Sequence, residues 1–139
     1  MRAVLDVNIV ISAVLSPRGT PAKILQAWLD GEFEFVASED LLSELGRALA
    51  YPKLCSRVET SQAKQLIELI RREAQMTVDP EGPPTMRSPD PGDDYLISLG
   101  AVSGAVIVSG DGHLLGLADA VPVYSPAQLL ALLVDERRS

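Results

Sequence analysis

The sequence predicts an α/β fold, a three-layer α/β/α sandwich in which helices cover a central, mostly parallel and twisted sheet. Two observations carry this expectation. Short apolar runs of strand length alternate along the chain with longer segments of helical periodicity, an order that calls for parallel strands joined by helical crossovers. Carboxylates also recur where a strand or turn gives way to a helix: Asp6, Glu44, the adjacent pair Asp93 and Asp94, and Asp111. Acids so placed converge on one edge of such a sheet and prepare a divalent-metal site.

Each element has its own signal. Ala3-Val4-Leu5 is a short apolar run ended by Asp6, and Asn8 to Leu15 carries apolar residues at helical spacing. Ser16 to Pro21 is a turn cluster, with Pro21 in the first turn of a helix that runs to about Asp30 and stops at Gly31. Phe33 to Ala37 reads as a strand. Ser38-Glu39-Asp40 then supplies an N-cap with acids in the first turn, and Leu41, Leu42, Leu45 and Leu49 form the buried stripe of the next helix, with Glu44 off that stripe. Tyr51-Pro52 ends it, and Thr60 opens another helix to about Ala74. From Met76 to Pro91 proline and glycine crowd the chain and no regular element is expected, which makes residues 77–92 a long Pro-rich loop. Asp93 and Asp94 stand at a helix start, Leu96 to Val102 continue a buried helix, and Ala105-Val106-Ile107-Val108, between Gly104 and Gly110, is a clear strand. A short helix after Asp111, a strand at Val121 to Tyr124 and a helix opened by Ser125-Pro126 finish the chain.

The 139 residues match the size of one domain, so residues 1–139 are read as a single unit. With 47% hydrophobic and 22% charged residues the chain can bury a core, and it has no apolar run of membrane-spanning length. The start of the chain lacks the pattern of a signal peptide, and the single cysteine, Cys55, cannot form an internal disulfide. A cytoplasmic setting without membrane association is expected. The net charge of −7 runs against a nucleic-acid binder, but acids gathered around a divalent ion are locally neutralised, and the ion attracts phosphate oxygens. Arg18, Lys23, Arg47, Lys53 and Arg57 are candidates for a phosphate-tracking rim. Trp28 and Cys55 are assigned to packing.

Asp6-Val7-Asn8-Ile9-Val10-Ile11-Ser12-Ala13 resembles the opening motif of the PIN-domain nucleases: an Asp, one residue, an Asn, then an apolar run with a small polar residue. Ser43-Glu44-Leu45 on a helix, Asp90-Pro91-Gly92-Asp93-Asp94 before an apolar helix, and Ile107-Val108-Ser109-Gly110-Asp111 after a central strand follow in the family's order. The resemblance covers nearly the whole chain and is greatest to the PIN proteins described as toxins of toxin-antitoxin pairs, relatives of the VapC-type ribonucleases. It implies a PIN-like fold and a metal-dependent ribonuclease that cleaves single-stranded or structured RNA with metal-activated water, leaving a 5′-phosphate.

Carried over residue by residue, the family's acids fall on Asp6, Glu44, Asp93 or Asp94, and Asp111, while Asn8 and Ser109 match its polar support positions. Alignment forward from Asp90-Pro91 favours Asp94 as the third acid, and counting back from Asp111 favours Asp93. The resemblance makes Asp6 the central ligand of Mg²⁺ or Mn²⁺ and lets Asp93 or Asp94 and Asp111 complete the cluster. Glu44 orients or deprotonates water. Carboxylates suit the task because these hard ions prefer oxygen ligands and retain exchangeable waters. The resemblance also implies an RNA substrate, a cognate antitoxin protein and a homodimer.

Each of these residues has a plainer use: Asp6 as a helix cap, Glu44 as surface charge, Asp111 as a turn residue. A non-catalytic PIN-like module that binds RNA or a protein is the competing function. Other enzymes fit worse. A haloacid-dehalogenase phosphatase needs a second Asp where Asn8 stands, a response-regulator receiver needs paired acids near the amino terminus, and no nucleotide-binding glycine loop is present.

Overall fold

The structure, a computed structural model, describes residues 1–55, 57–78, 94–110 and 122–138. Five parallel strands form one sheet: β1 (Arg2–Leu5), β2 (Glu34–Ala37), β3 (Gln75–Met76), β4 (Val106–Val108) and β5 (Val123–Tyr124), in the order β3-β2-β1-β4-β5. The helices are α1 (Val7–Leu15), α2 (Thr20–Leu29), α3 (Glu39–Leu49), α4 (Pro52–Cys55), α5 (Thr60–Glu73), α6 (Asp94–Ser103) and α7 (Pro126–Arg138). This is the predicted α/β architecture.

The first strand of the chain, β1, lies at the centre of the sheet. β1 pairs with β2 through Arg2 opposite Glu34 and Ala3 opposite Phe35, and with β4 through Ala3, Val4 and Leu5 opposite Val106, Ile107 and Val108. The chain first adds β2 and β3 on one side of β1, then returns to place β4 and β5 on the other. With right-handed crossovers, those opposite directions put the connecting helices on opposite faces. α6 packs on β1 and β4, while α1 packs on α2 and α3, and α2 on α7.

Ala3, Val4, Leu5, Phe35, Val36, Ala37 and Val108 are fully buried, as expected for strands covered on both faces. Trp28 of α2 meets Phe35 of β2 edge to face, ring centroids 5.2 Å apart, so Trp28 does belong to the packing. Two glycines end helices in the left-handed conformation that other residues avoid. Gly31 (φ 82°) follows α2, where its N–H donates to the Trp28 carbonyl and that of Glu32 to the Ala27 carbonyl. Gly104 (φ 63°) follows α6, where the Ala105 N–H returns to the Gly100 carbonyl. Both satisfy carbonyls that a helix end leaves open.

Two short elements depart from the sequence expectation. Met76 was expected to open the irregular segment, yet Gln75–Met76 forms β3 against Val36 and Ala37, and the Thr77 N–H donates to the Ala37 carbonyl at 2.8 Å. That strand exists because β2 offers it a free edge; two residues carry no period of their own. Pro52 ends α3 as expected but also opens the single turn of α4. The Pro-rich segment 79–92, the short helix expected after Asp111, and Val121 lie outside the described residues. No helix among the described residues is long and apolar enough to cross a membrane.

Candidate active site at the carboxyl edge of the sheet

Continuing the strand pairings by one residue places Thr77, Ser38, Asp6, Ser109 and Ser125 side by side along the carboxyl edge, a hydroxyl or carboxylate after every strand. The strand order reverses between β1 and β4, the crevice where open α/β sheets receive ligands. Asp6 and Ser109 are the two residues that flank it.

Asp6 is held from several directions. Its N–H donates to the Val108 carbonyl at 2.9 Å, extending the β1–β4 ladder, and its carbonyl accepts from Ile9 at 2.9 Å, beginning α1. Its carboxylate caps that helix: Oδ1 accepts from the Asn8 N–H at 3.3 Å, and Oδ2 accepts from the Ser109 hydroxyl at 2.8 Å. Asp6 is 6% exposed and Ser109 is fully buried. Burying an ionised carboxylate is costly, and donors of this kind, together with the positive end of a helix, offset the cost. Both oxygens are thereby fixed in orientation.

The same edge gathers further helix starts. Ser38 Oγ accepts from the Leu41 N–H and caps α3; Ser125 Oγ accepts from the Gln128 N–H while Gln128 Oε1 accepts from the Ser125 N–H, a reciprocal cap on α7. Three helix amino termini therefore point their N–H groups toward one edge, a field suited to anions.

Of the residues singled out from sequence, the structure joins Asp6, the backbone of Asn8 and Ser109. The Asn8 side chain is exposed on the first turn of α1. Glu44 is half-exposed on α3 and accepts a charged hydrogen bond from Arg47 one turn further on. Asp94 is the first residue of α6. Asp93 and Asp111 lie outside the described residues. Among the described residues no three acids, histidines or cysteines are gathered closely enough to hold a metal ion, and Asp6 is the acid whose supports are described at the crevice.

The expected basic rim divides. Arg18 follows the far end of α1, roughly 13 Å of helix away from Asp6, and cannot line the crevice. Arg47 stands on α3 beside Glu44. Their spacing of three on a helix is enough to pair these two residues from the sequence alone. On the same helix, Glu39 accepts from Arg71 Nε at 3.3 Å and Nη2 at 2.9 Å. That hydrogen bonding raises the Arg71 pKa above its ordinary value.

The chain is similar to known proteins. An uncharacterized protein of Methanocaldococcus jannaschii is 28% identical over 121 residues, which cover 86% of this chain and 76% of that protein. A chain in the crystal structure of VapBC2 from Rickettsia felis, bound to a DNA fragment from their promoter, is similar in fold, with a TM-score of 0.56 and 14% identity over 90% of this chain and 98% of that one. The sequence model of the PIN domain matches residues 2–113, from β1 through the whole crevice. The chain belongs to the PIN domain family.

Proposed function

We propose that this protein is a Mg²⁺- or Mn²⁺-dependent endoribonuclease that cuts single-stranded or structured RNA, and that it is the toxin of a toxin-antitoxin pair. In this reading residues 1–139 act as one domain in the cytoplasm, as a homodimer restrained by a cognate antitoxin. The observation that carries the reading is Asp6, a buried carboxylate at the reversal point of the sheet with both oxygens oriented by donors. Family membership and the fold shared with a VapBC2 chain support it.

The donor chemistry fits a hard divalent ion. Asp6, Glu44, Asp93 or Asp94, and Asp111 offer carboxylate oxygen, and neither cysteine nor histidine is needed. A bound ion would supply acidity to a water molecule and neutralise charge on the phosphoryl oxygens. The chain's own residues do the rest. Ser109 and the Asn8 backbone hold the Asp6 carboxylate in one orientation, so that ligand geometry is set before an ion arrives. Glu44 orients water and accepts its proton. The helix starts of α1, α3 and α7 favour the anionic strand at the edge.

The test is degradation of a pool of structured RNAs by wild type and Asp6→Asn protein with Mg²⁺ or Mn²⁺. Cleavage by the wild type and none by the variant is expected. Equal cleavage by the two removes Asp6 from the chemistry, and cleavage by neither leaves a non-catalytic binding module.

A further inference from the structure

We propose that Arg47 is a substrate-binding residue of this site. It holds the Glu44 carboxylate while no divalent ion is bound, and turns to a phosphate of the RNA once an ion has taken Glu44. The inference rests on the reading above, in which Glu44 serves the site, and extends it to a base that none of the acidic motifs includes.

The pair is built to exchange. Arg47 Nη2 donates to Glu44 Oε2 across a spacing of three residues on α3, with the two side chains 72% and 47% exposed. Ion pairs so well hydrated are weak, because water competes for both partners. A divalent ion carries twice the charge of a guanidinium and displaces it from the carboxylate readily. Leu41, Leu42, Leu45 and Leu49 anchor the opposite side of α3 in the core, so the helix backbone stays fixed while the outer side chains change partners.

The site also needs such a base. A chain of net charge −7 that admits a polyanion to an acidic edge requires fixed positive charge close to the acids. The other described ion pairs are placed or held differently. Arg2 pairs with Glu34 at the amino ends of the strands, Arg71 is gripped by both oxygens of Glu39, and Arg72 pairs with its neighbour Glu73. Arg47 is paired to an acid assigned to the site itself. Binding of the ion therefore releases the guanidinium, and its planar fork of donors matches two phosphate oxygens. The exchange conserves charge: the ion takes the Glu44 carboxylate, and Arg47 takes the phosphate.

Arg47→Gln and Arg47→Lys separate this role from that of an ordinary helix pair. In RNA-free protein, Arg47→Gln is expected to tighten Mn²⁺ binding about twofold, since the competing cation is gone. With Mn²⁺ saturating, the same variant raises KM for RNA about tenfold and leaves kcat within about threefold, the loss of one charged hydrogen bond. Arg47→Lys, which keeps the charge without the fork, falls between. An unchanged Mn²⁺ affinity or an unchanged KM in Arg47→Gln overturns the proposal. Glu44→Gln reports on the underlying reading separately. If it binds Mn²⁺ and cuts RNA as the wild type does, Glu44 is outside the site and the site assignment fails. If Glu44→Gln is impaired while Arg47→Gln behaves as wild type, only the exchange is lost.

Discussion

The Ser109 hydroxyl donates to Oδ2 of Asp6 at 2.8 Å, joining residues that lie 103 positions apart in the chain. The bond crosses the gap between β1 and β4 and is buried from water. It ties the orientation of the Asp6 carboxylate to the pairing of two central strands.

Ser109→Ala removes that donor and leaves the backbone ladder intact. The expected result is a loss of about 10-fold to 100-fold in Mn²⁺ affinity or RNA cleavage, the usual consequence of removing a hydrogen-bond support from a metal-binding side chain. Titration and initial rates on one preparation check it. Wild-type values in both would remove Ser109 from any part in the site.

Metal removal provides the second prediction. Under the proposed function, chelation is expected to abolish RNA cleavage and added Mg²⁺ or Mn²⁺ to restore it. Because ligand binding stabilises the folded state by mass action, Mn²⁺ at about 100 times its Kd adds roughly 2.7 kcal/mol. The accompanying rise in Tm is expected in the wild type and absent in Asp6→Asn. A Tm rise of equal size in both would place the ion elsewhere.

Phe35 tests the core. It is fully buried on β2 and receives the edge of Trp28. Phe35→Ala is expected to cost about 3–5 kcal/mol through lost burial and the cavity left behind. In a chain of this size that lowers Tm by on the order of 10 °C. A change of a degree or two in a thermal melt contradicts the packing described.

The two left-handed glycines give a cleaner measurement of backbone cost. A Cβ added at Gly31 or Gly104 meets nothing within 4 Å, so Gly31→Ala and Gly104→Ala lose stability through conformation alone. About 1–2 kcal/mol is expected at each. Denaturant midpoints should fall in both variants while the slope of the transition stays constant.

Particular residues show what the sequence made legible. β1, β2 and β4 stood out because runs such as Ala105 to Val108 are apolar, partly β-branched and bounded by glycine or an acid. β3 did not, since Gln75 and Met76 become a strand only through the neighbouring Val36 and Ala37. α4 is a single turn opened by Pro52, and a single turn has no periodicity to detect. In the site, Asp6 was legible from its place after a strand, and Ser109 from the motif that carries it. Their hydrogen bond depends on the register of β1 against β4, which no local pattern encodes. Glu44 was legible as an off-stripe acid. Its pairing with Arg47 lay within reach of helical spacing.

The line of polar residues along the carboxyl edge also acts as an alignment key for assembly. Strands that are apolar on both faces say little through their side chains about which residue belongs opposite which. A slip of β4 by one position against β1 would bring Val108 or Gly110 beside Asp6, and neither side chain can donate to its buried carboxylate. Loss of such a donor costs on the order of 1–3 kcal/mol, a large share of a small domain's total stability. A lineage that replaced Asp6 and Ser109 would therefore have to supply more than new side chains at this crevice. It would have to find a new way of telling the central strands how to line up.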